Sequence, residues 1–272
     1  VGLTEDDIFR DYYSLRGFLD QSFNQLENVM VMDNWENGRA FVGLFADEMA
    51  TTDNSSAVFT LHSGNWLSNA KSNTTFEIGN GGSTAISRSY KALRINNRII
   101  NDIDKAPLTP EQKNEILGQA YFYRSWFYFQ VIKRYVGMPI IDKVFEGGDD
   151  DIPRMTYHES HDWMMEDIQK AIYMLPDSWD DPNYGRPTKI AAMALKEWAQ
   201  LFDASPLMQN DLNSTENKGY DTERAKSAAK SAYEVIRYMD GSKSAPYPYG
   251  LASKEEYTNV FYFKYPPVHQ PE

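Results

Sequence analysis

The strongest hydrophobic pattern lies in the middle of the chain and predicts one long helix, from about residue 110 to 136. Thr109 and Gln112 have the spacing of a capping box, and Pro110 follows the cap. Gly137 is expected to close the helix in the left-handed conformation, before Pro139 forbids its continuation. Apolar residues cover most of its circumference: Leu117, Ala120, Tyr121, Phe122, Tyr123, Trp126, Phe127, Tyr128, Phe129, Val131, Ile132 and Tyr135. Such a helix is surrounded by other helices.

Apolar residues three or four positions apart predict further helices on both sides of the central one. Their approximate ranges are 4–30, 85–104, 157–175, 188–204 and 222–240. Capping residues support two of the starts, Thr4 with Asp7 and Thr156 with Glu159. The positions expected to face inward include Tyr90, Trp198, Leu201 and Ile236.

Short connections between these helices predict antiparallel hairpins that stack side by side. The pairs 85–104 with 110–136 and 157–175 with 188–204 repeat at about 70 residues, the length of two tetratricopeptide units. The consensus sequence of those repeats is absent. The predicted fold is therefore mainly α, a tetratricopeptide-like scaffold of helical hairpins with one long loop-rich excursion.

That excursion, residues 33–83, breaks the helical period and is rich in Asn, Ser, Thr and Gly. Long loops inside a compact domain are functional or disordered. The excursion contains six interspersed aromatic residues: Trp35, Phe41, Phe45, Phe59, Trp66 and Phe76. These favour an ordered, functional loop region on one face of the scaffold.

The excursion also contains a candidate ligand site, made of Asp47, Asp53, Asn65, Trp66 and Asn69. A flat ring can cover the apolar face of a sugar, while amides and carboxylates bond its hydroxyls. The same tryptophan can instead anchor the loop to the core. The sequence leaves both interpretations open.

Composition limits the possible partners. The 272 residues carry a formal net charge of -12, which opposes nucleic-acid binding. The chain contains no cysteine, so disulfides, thiolate metal sites and cysteine nucleophiles are excluded. It has neither the run of about 20 apolar residues that crosses a bilayer nor a targeting segment at its start. We expect any targeting segment to have been removed.

Known catalytic motifs are absent from the sequence. His158 and His161 flank Glu159 and Ser160 but do not form the two-histidine zinc motif, and they fall on a predicted capping box. The acidic run 149–151 is typical of a solvated linker. No nucleophile turn or phosphate-binding loop occurs. We therefore predict a binding protein without metal or cofactor, while a helical glycoside hydrolase, which needs only two carboxylates, and an intracellular helical-repeat adaptor stay open as alternatives.

One cation lies inside the central helix and calls for a partner. Arg124 is placed among aromatic residues that are predicted to be buried. A buried guanidinium needs a carboxylate or an aromatic face, so we expect a structural ion pair or a stacking contact there.

An ordered set of residues over about 85–205 resembles the SusD/RagB family, the outer-membrane lipoproteins of Bacteroidetes. The central helix contributes Gly118, Ala120, Phe122, Arg124, Tyr128, Phe129, Tyr135, Gly137 and Pro139. The following helix contributes Asp167, Ile168, Ala171, Leu175 and Pro176. The third part is the run GRPTKIAAMALK at 185–196.

The resemblance implies a tetratricopeptide-like scaffold and a glycan-binding surface made by loops, used in polysaccharide utilisation and nutrient uptake. It also implies docking on a SusC-like TonB-dependent transporter at the outward face of the outer membrane. A peptide-binding, RagB-like member is the alternative within the family. The chain lacks the lipid-bearing N-terminal cysteine of the family, so membrane anchoring is an expectation from the resemblance alone.

The resemblance also sets the domain prediction. Residues 1–272 are expected to form a single SusD-like domain, with the scaffold at about 1–31 and 84–241 and the ligand face at 33–83. Family members are longer, and the C-terminal part of their fold is expected to be absent here. Val136 stands where the family more often has glycine, and we expect it to be tolerated.

Overall fold

The computed structural model of the chain describes residues 4–26, 85–145, 151–209, 220–241 and 253–254. Within these ranges the regular elements are α-helices and short 3-10 turns, without a strand. The mainly α class that the sequence predicts is confirmed.

The α-helices of the described ranges follow the predicted order. They are α1 Glu5–Ile8, α2 Tyr12–Phe23, α3 Ala85–Asp102, α4 Pro110–Tyr135, α5 Tyr157–Met174, α6 Lys189–Asp203 and α7 Thr222–Gly241. From α3 onward, each end lies close to its predicted position. The capping boxes of α4 and α5 form as expected. In each, the threonine side chain accepts the backbone N–H of the residue three positions on, and the side chain of that residue accepts the backbone N–H of the threonine.

The first predicted helix is in fact two. Thr4 and Asp7 form the expected capping box of α1, but α1 ends after one turn at Ile8. Asp11 then caps α2, since its carboxylate accepts the backbone N–H of Ser14 at 2.8 Å. The prediction of one continuous helix over 4–30 was wrong because it overlooked this second cap.

Each helix from α3 to α7 packs against the next one along the chain, while α2 packs against both α3 and α4. The order and the short connections give the stacked hairpins that the sequence predicts. No helix of the described ranges has both the length and the hydropathy needed to cross a bilayer.

Helix α4 is the centre of the described structure, with core contacts on opposite sides. Tyr128 and Phe129 belong to a hydrophobic cluster that α5 completes with Ile168. Tyr123 and Phe127 belong to a second cluster, shared with α2 and α3. Burying each of these side chains contributes about 2 kcal/mol or more, so α4 supplies much of the core energy.

Several residues predicted to face inward lie on the surface instead. The side chains of Leu201 and Ile236 are 57% and 51% exposed, and Tyr90 and Trp198 are about two-fifths exposed. Helix periodicity identifies an apolar stripe along a helix. How much of that stripe is buried depends on how many neighbouring helices pack on it. Among the described elements, helix α7 packs chiefly on α6, and none of them covers the far side of its stripe.

Gly137 has a different role from the one predicted. The positive φ at the end of α4 belongs to Val136, at φ 68° and ψ -130°, and not to the glycine. A Cβ on Gly137 would lie 1.9 Å from the carbonyl oxygen of Met155 and 2.6 Å from the carbonyl carbon of Thr156. The glycine is required for this close approach of two backbone segments, and the left-handed conformation is taken by its neighbour.

Candidate ligand-binding site

The predicted sugar site lies outside the residues that the structure describes. Its members are Asp47, Asp53, Asn65, Trp66 and Asn69. Their arrangement therefore stays a prediction. The excursion that contains them leads directly into α3, so the first turns of α3 are the described residues that follow it in sequence.

A cavity of about 500 Å³ lies between those first turns of α3 and the segment after α4. We call it the α3 pocket. Helix α3 lines it with Ser87, Tyr90, Lys91 and Arg94. The segment after α4 lines it with Pro139, Ile141, Lys143, Val144, Phe145 and Ile152. Its volume falls within the range of about 300–1,000 Å³ that is usual for small-molecule sites.

The α3 pocket combines an apolar wall with exposed cations. Ile141 is buried and Phe145 is half-buried, whereas Lys91 and Arg94 are exposed. The Nη1 group of Arg94 donates to the carbonyl oxygen of Phe145 at 3.3 Å, which holds the guanidinium beside the aromatic ring. Partial burial raises the pKa of Tyr90, so its hydroxyl stays a neutral donor.

A buried amide fixes the far wall of the pocket. The Asn97 Nδ2 group donates to the carbonyl oxygens of Ile141 and Lys143, at 2.9 Å and 3.1 Å. The hydroxyl of Tyr128 donates to the carbonyl oxygen of Pro139 at 2.8 Å. Since these side chains are themselves buried, the segment after α4 is held against α3 and α4 by satisfied polar contacts.

The same amide connects the wall to the ion pair expected at Arg124. Arg124 donates to the Asn97 Oδ1 atom at 2.9 Å and to both oxygens of Asp167, at 2.5 Å and 2.8 Å. Its guanidinium also lies 5.2 Å from the ring centroid of Trp163. The expected ion pair and stacking contact are both confirmed. The network joins α3, α4 and α5 behind the pocket.

A sequence comparison identifies the protein family of this chain. The sequence model of the SusD-like family, described as "Starch-binding associating with outer membrane", matches residues 12–197. This is more than half of the 272 residues. The chain belongs to the SusD-like family. The resemblance found in the sequence over about 85–205 is thus confirmed.

Solved structures share the fold of this SusD-like chain at low sequence identity. A SusD-like protein of Bacteroides fragilis is 23% identical, with a TM-score of 0.60, over 85% of this chain and 39% of that one. A SusD superfamily protein of Bacteroides vulgatus is 19% identical, with a TM-score of 0.63, over 93% of this chain and 52% of that one. A SusD-like carbohydrate binding protein of Bacteroides vulgatus is 15% identical, with a TM-score of 0.60, over 91% and 47%.

This SusD-like chain spans only 39% to 52% of the length of those structures. No curated protein matches its sequence.

Two histidines of this SusD-like chain, His158 and His161, take part in a polar cluster between α5, α6 and α7. The Nδ1 atom of His158 lies 2.8 Å from a carboxylate oxygen of Asp203, and that of His161 lies 3.0 Å from Asp162. Arg224 of α7 bridges both carboxylates. Among the described residues, no group of three or more acidic or histidine side chains is placed to hold a metal ion.

This cluster gives a pH prediction. The hydrogen bond from His161, followed by that from Arg224, lowers the pKa of Asp162 from 3.8 to about 2. A lowered pKa stabilises the fold above the ordinary value of 3.8 and loses that contribution as the pH falls from 3.8 towards 2. The contribution is small because the carboxyl is 62% exposed.

We expect Asp162→Asn to be slightly less stable than the parent chain above pH 5 and equally stable near pH 2. Urea unfolding of both chains between pH 2 and pH 6 checks this. A difference that stays constant over that range would show that the charge of the Asp162 carboxylate does not stabilise the polar cluster.

The α3 pocket is not evident from the sequence. Tyr90, Lys91 and Arg94 recur at helical spacing in the first half of α3, which would have placed an aromatic ring and two cations on neighbouring positions of one helix. The opposite wall comes from residues about 50 positions later in the chain. Only the fold brings the two walls together.

Proposed function

We propose that this chain is a cell-surface binding protein that captures oligo- or polysaccharides and delivers them to a SusC-like TonB-dependent transporter. The observation that carries the proposal is the family match over 12–197, whose description joins starch binding to association with the outer membrane. We propose the outward-facing position and the N-terminal lipid anchor on the strength of the same family match. Surface proteolysis of intact cells tests this location: an accessible chain supports it, and a protected chain contradicts it.

We place the glycan contact at Trp66, with Asn65, Asn69, Asp47 and Asp53 around it. An indole covers one face of a pyranose ring, and the amides and carboxylates replace the water that its hydroxyls give up. Since that exchange offsets most of the gain, we expect a dissociation constant of about 10 µM to 1 mM. Binding in this range suits a protein that must release its ligand to a transporter.

We also propose that the chain performs no catalytic step. Its sequence contains neither a nucleophile turn nor a phosphate-binding loop. A binding site for intact glycans needs aromatic rings and amides alone, and the excursion contains both.

The variant Trp66→Ala tests the site. If Trp66 is the centre of the contact, its removal should weaken glycan binding by about 1–3 kcal/mol and leave the melting temperature nearly unchanged. Titration calorimetry against a glycan panel, with a thermal melt of the same sample, measures both quantities. Unchanged binding with a large loss of stability would show that Trp66 is a core anchor.

Trp198→Ala is the matched control. Trp198 is 39% exposed and packs on Phe129, with a distance of 5.0 Å between the ring centroids. Its removal should lower the melting temperature and leave glycan affinity unchanged. Loss of binding in this control would show that any tryptophan deletion disturbs the site.

A further inference from the structure

The α3 pocket has a charge that differs from the rest of the protein. The whole chain carries a net charge of -12, yet three of the ten described residues that line this pocket are cations. None of the described lining residues is acidic. A local concentration of positive charge in an acidic protein indicates a site for an anionic group.

Two of these cations form no ion pair with a residue that the structure describes. Elsewhere in the described chain, cations commonly pair with carboxylates, as Arg98 does with Asp102 at 3.5 Å and Lys196 does with Glu234 at 3.1 Å. Within the described residues, Lys91 and Arg94 have no carboxylate partner. Arg94 donates instead to a neutral group, the carbonyl oxygen of Phe145, at 3.3 Å. Both charges remain available to a ligand.

The apolar wall indicates what carries the anionic group. Tyr90 and Phe145 provide ring surface, and Pro139, Ile141, Val144 and Ile152 provide aliphatic surface. A small inorganic anion would leave this wall uncovered. A pyranose ring has an apolar face that suits such a wall, and a carboxyl group on that ring matches the planar fork of an arginine.

We propose that the α3 pocket binds the carboxylate-bearing sugar residue of an acidic glycan. The ring lies against Tyr90 and Phe145, and the carboxylate is bound by Arg94 and Lys91. This inference rests on the proposed glycan-binding function, and it adds to it a second contact and a preference for uronic acids. The exposed cations also imply that binding weakens as salt is added, because ionic screening acts on surface charges.

The test compares an oligogalacturonate with its methyl ester, which is the same sugar without the charge. We expect the free acid to bind the parent chain about tenfold or more tightly than the ester. A sulfated oligosaccharide of equal length distinguishes a carboxylate site from a general anion site. Equal affinity for the free acid and the ester would overturn the proposal, and tighter binding of the sulfated sugar would overturn the assignment to carboxylates.

The double variant Lys91→Gln with Arg94→Gln should lose that tenfold preference for the free acid. The matched control is Lys226→Gln with Lys230→Gln, which changes the net charge equally at two lysines that are 73% and 76% exposed on α7. The control should retain the preference. Both double variants alter exposed side chains, so their melting temperatures should match that of the parent chain. An unchanged preference in the pocket variant would overturn the proposal.

An acidic peptide, a short run of glutamates, provides the last arm. Binding of this peptide as tight as that of the oligogalacturonate would show that the pocket recognises charge alone, which would overturn the sugar assignment.

The binding of neutral glycans distinguishes a failure of the α3 pocket proposal from a failure of the proposed function. If neutral glycans bind and the oligogalacturonate does not, the α3 pocket proposal alone fails. If no glycan of either kind binds, the proposed function fails and this proposal fails with it.

Discussion

Replacing Arg124 with Met is expected to lower the free energy of unfolding by about 3–5 kcal/mol, because it leaves Asp167 buried without a countercharge. Arg124 and Asp167 are 5% and 2% exposed, and the guanidinium binds both oxygens of the carboxylate. The Asn97 side chain also loses its donor. Urea unfolding of the variant beside the parent chain measures the loss.

Two controls make this prediction specific. The double variant Arg124→Met with Asp167→Leu removes the stranded charge, so it should recover much of the lost stability. Arg98→Met breaks a pair of partly exposed side chains and should change the unfolding free energy little. A loss below about 1 kcal/mol in the first variant would show that the buried pair is not needed for the fold.

Gly137→Ala is expected to destabilise the chain by about 3 kcal/mol or more, since overpacking against backbone cannot be relieved by a side-chain rotation. The new Cβ would lie 1.9 Å from the Met155 carbonyl oxygen and 2.7 Å from that of Thr156. Either the turn after α4 or the start of α5 must move. The turn after α4 continues into the wall of the α3 pocket at Pro139.

The chain provides a matched glycine for comparison. Gly17 lies inside α2 with open space around its Cα, since a Cβ there would have no neighbour within 4 Å. Gly17→Ala should therefore stabilise the chain by about 0.5–1 kcal/mol through helix propensity. Thermal and urea unfolding of both variants should give effects of opposite sign. A neutral Gly137→Ala would contradict the close approach that the structure shows.

The ends of the helices could be predicted because capping is local. Thr109 with Gln112 and Thr156 with Glu159 are three residues apart, and each pair makes the bonds expected from the sequence. The cap at Asp11 is equally local, and it was missed because the apolar period continues through it. Local chemistry therefore determined where helices start more reliably than periodicity did.

Long-range partners could not be predicted in the same way. The need of Arg124 for a partner follows from its place among aromatic residues, but its choice of Asp167, 43 positions away, follows from how α4 packs on α5. The requirement for glycine at 137 likewise arises from backbone that passes nearby. The type of contact at Arg124 could be predicted, whereas the glycine at 137 was assigned to the left-handed conformation that Val136 takes instead.

The two candidate sites differ in the same way, since one depends on residues close together in the sequence and the other on residues far apart. The site around Trp66 was inferred from residue types that occur close together in one loop region. The α3 pocket needs two walls from separate segments. The position of Arg94 beside Phe145, to whose carbonyl it donates, depends on how these segments pack. A pattern of single residues along the chain does not contain that second wall.

We propose that this SusD-like chain binds glycans and leaves them intact. Equilibrium dialysis of the parent chain against neutral and acidic oligosaccharides, followed by chromatography of the recovered sugar, tests it most directly. We predict saturable uptake of at least one glycan, with a dissociation constant of about 10 µM to 1 mM, and recovery of that glycan at its original length. Shortened products, or the absence of uptake across the panel, would contradict the account.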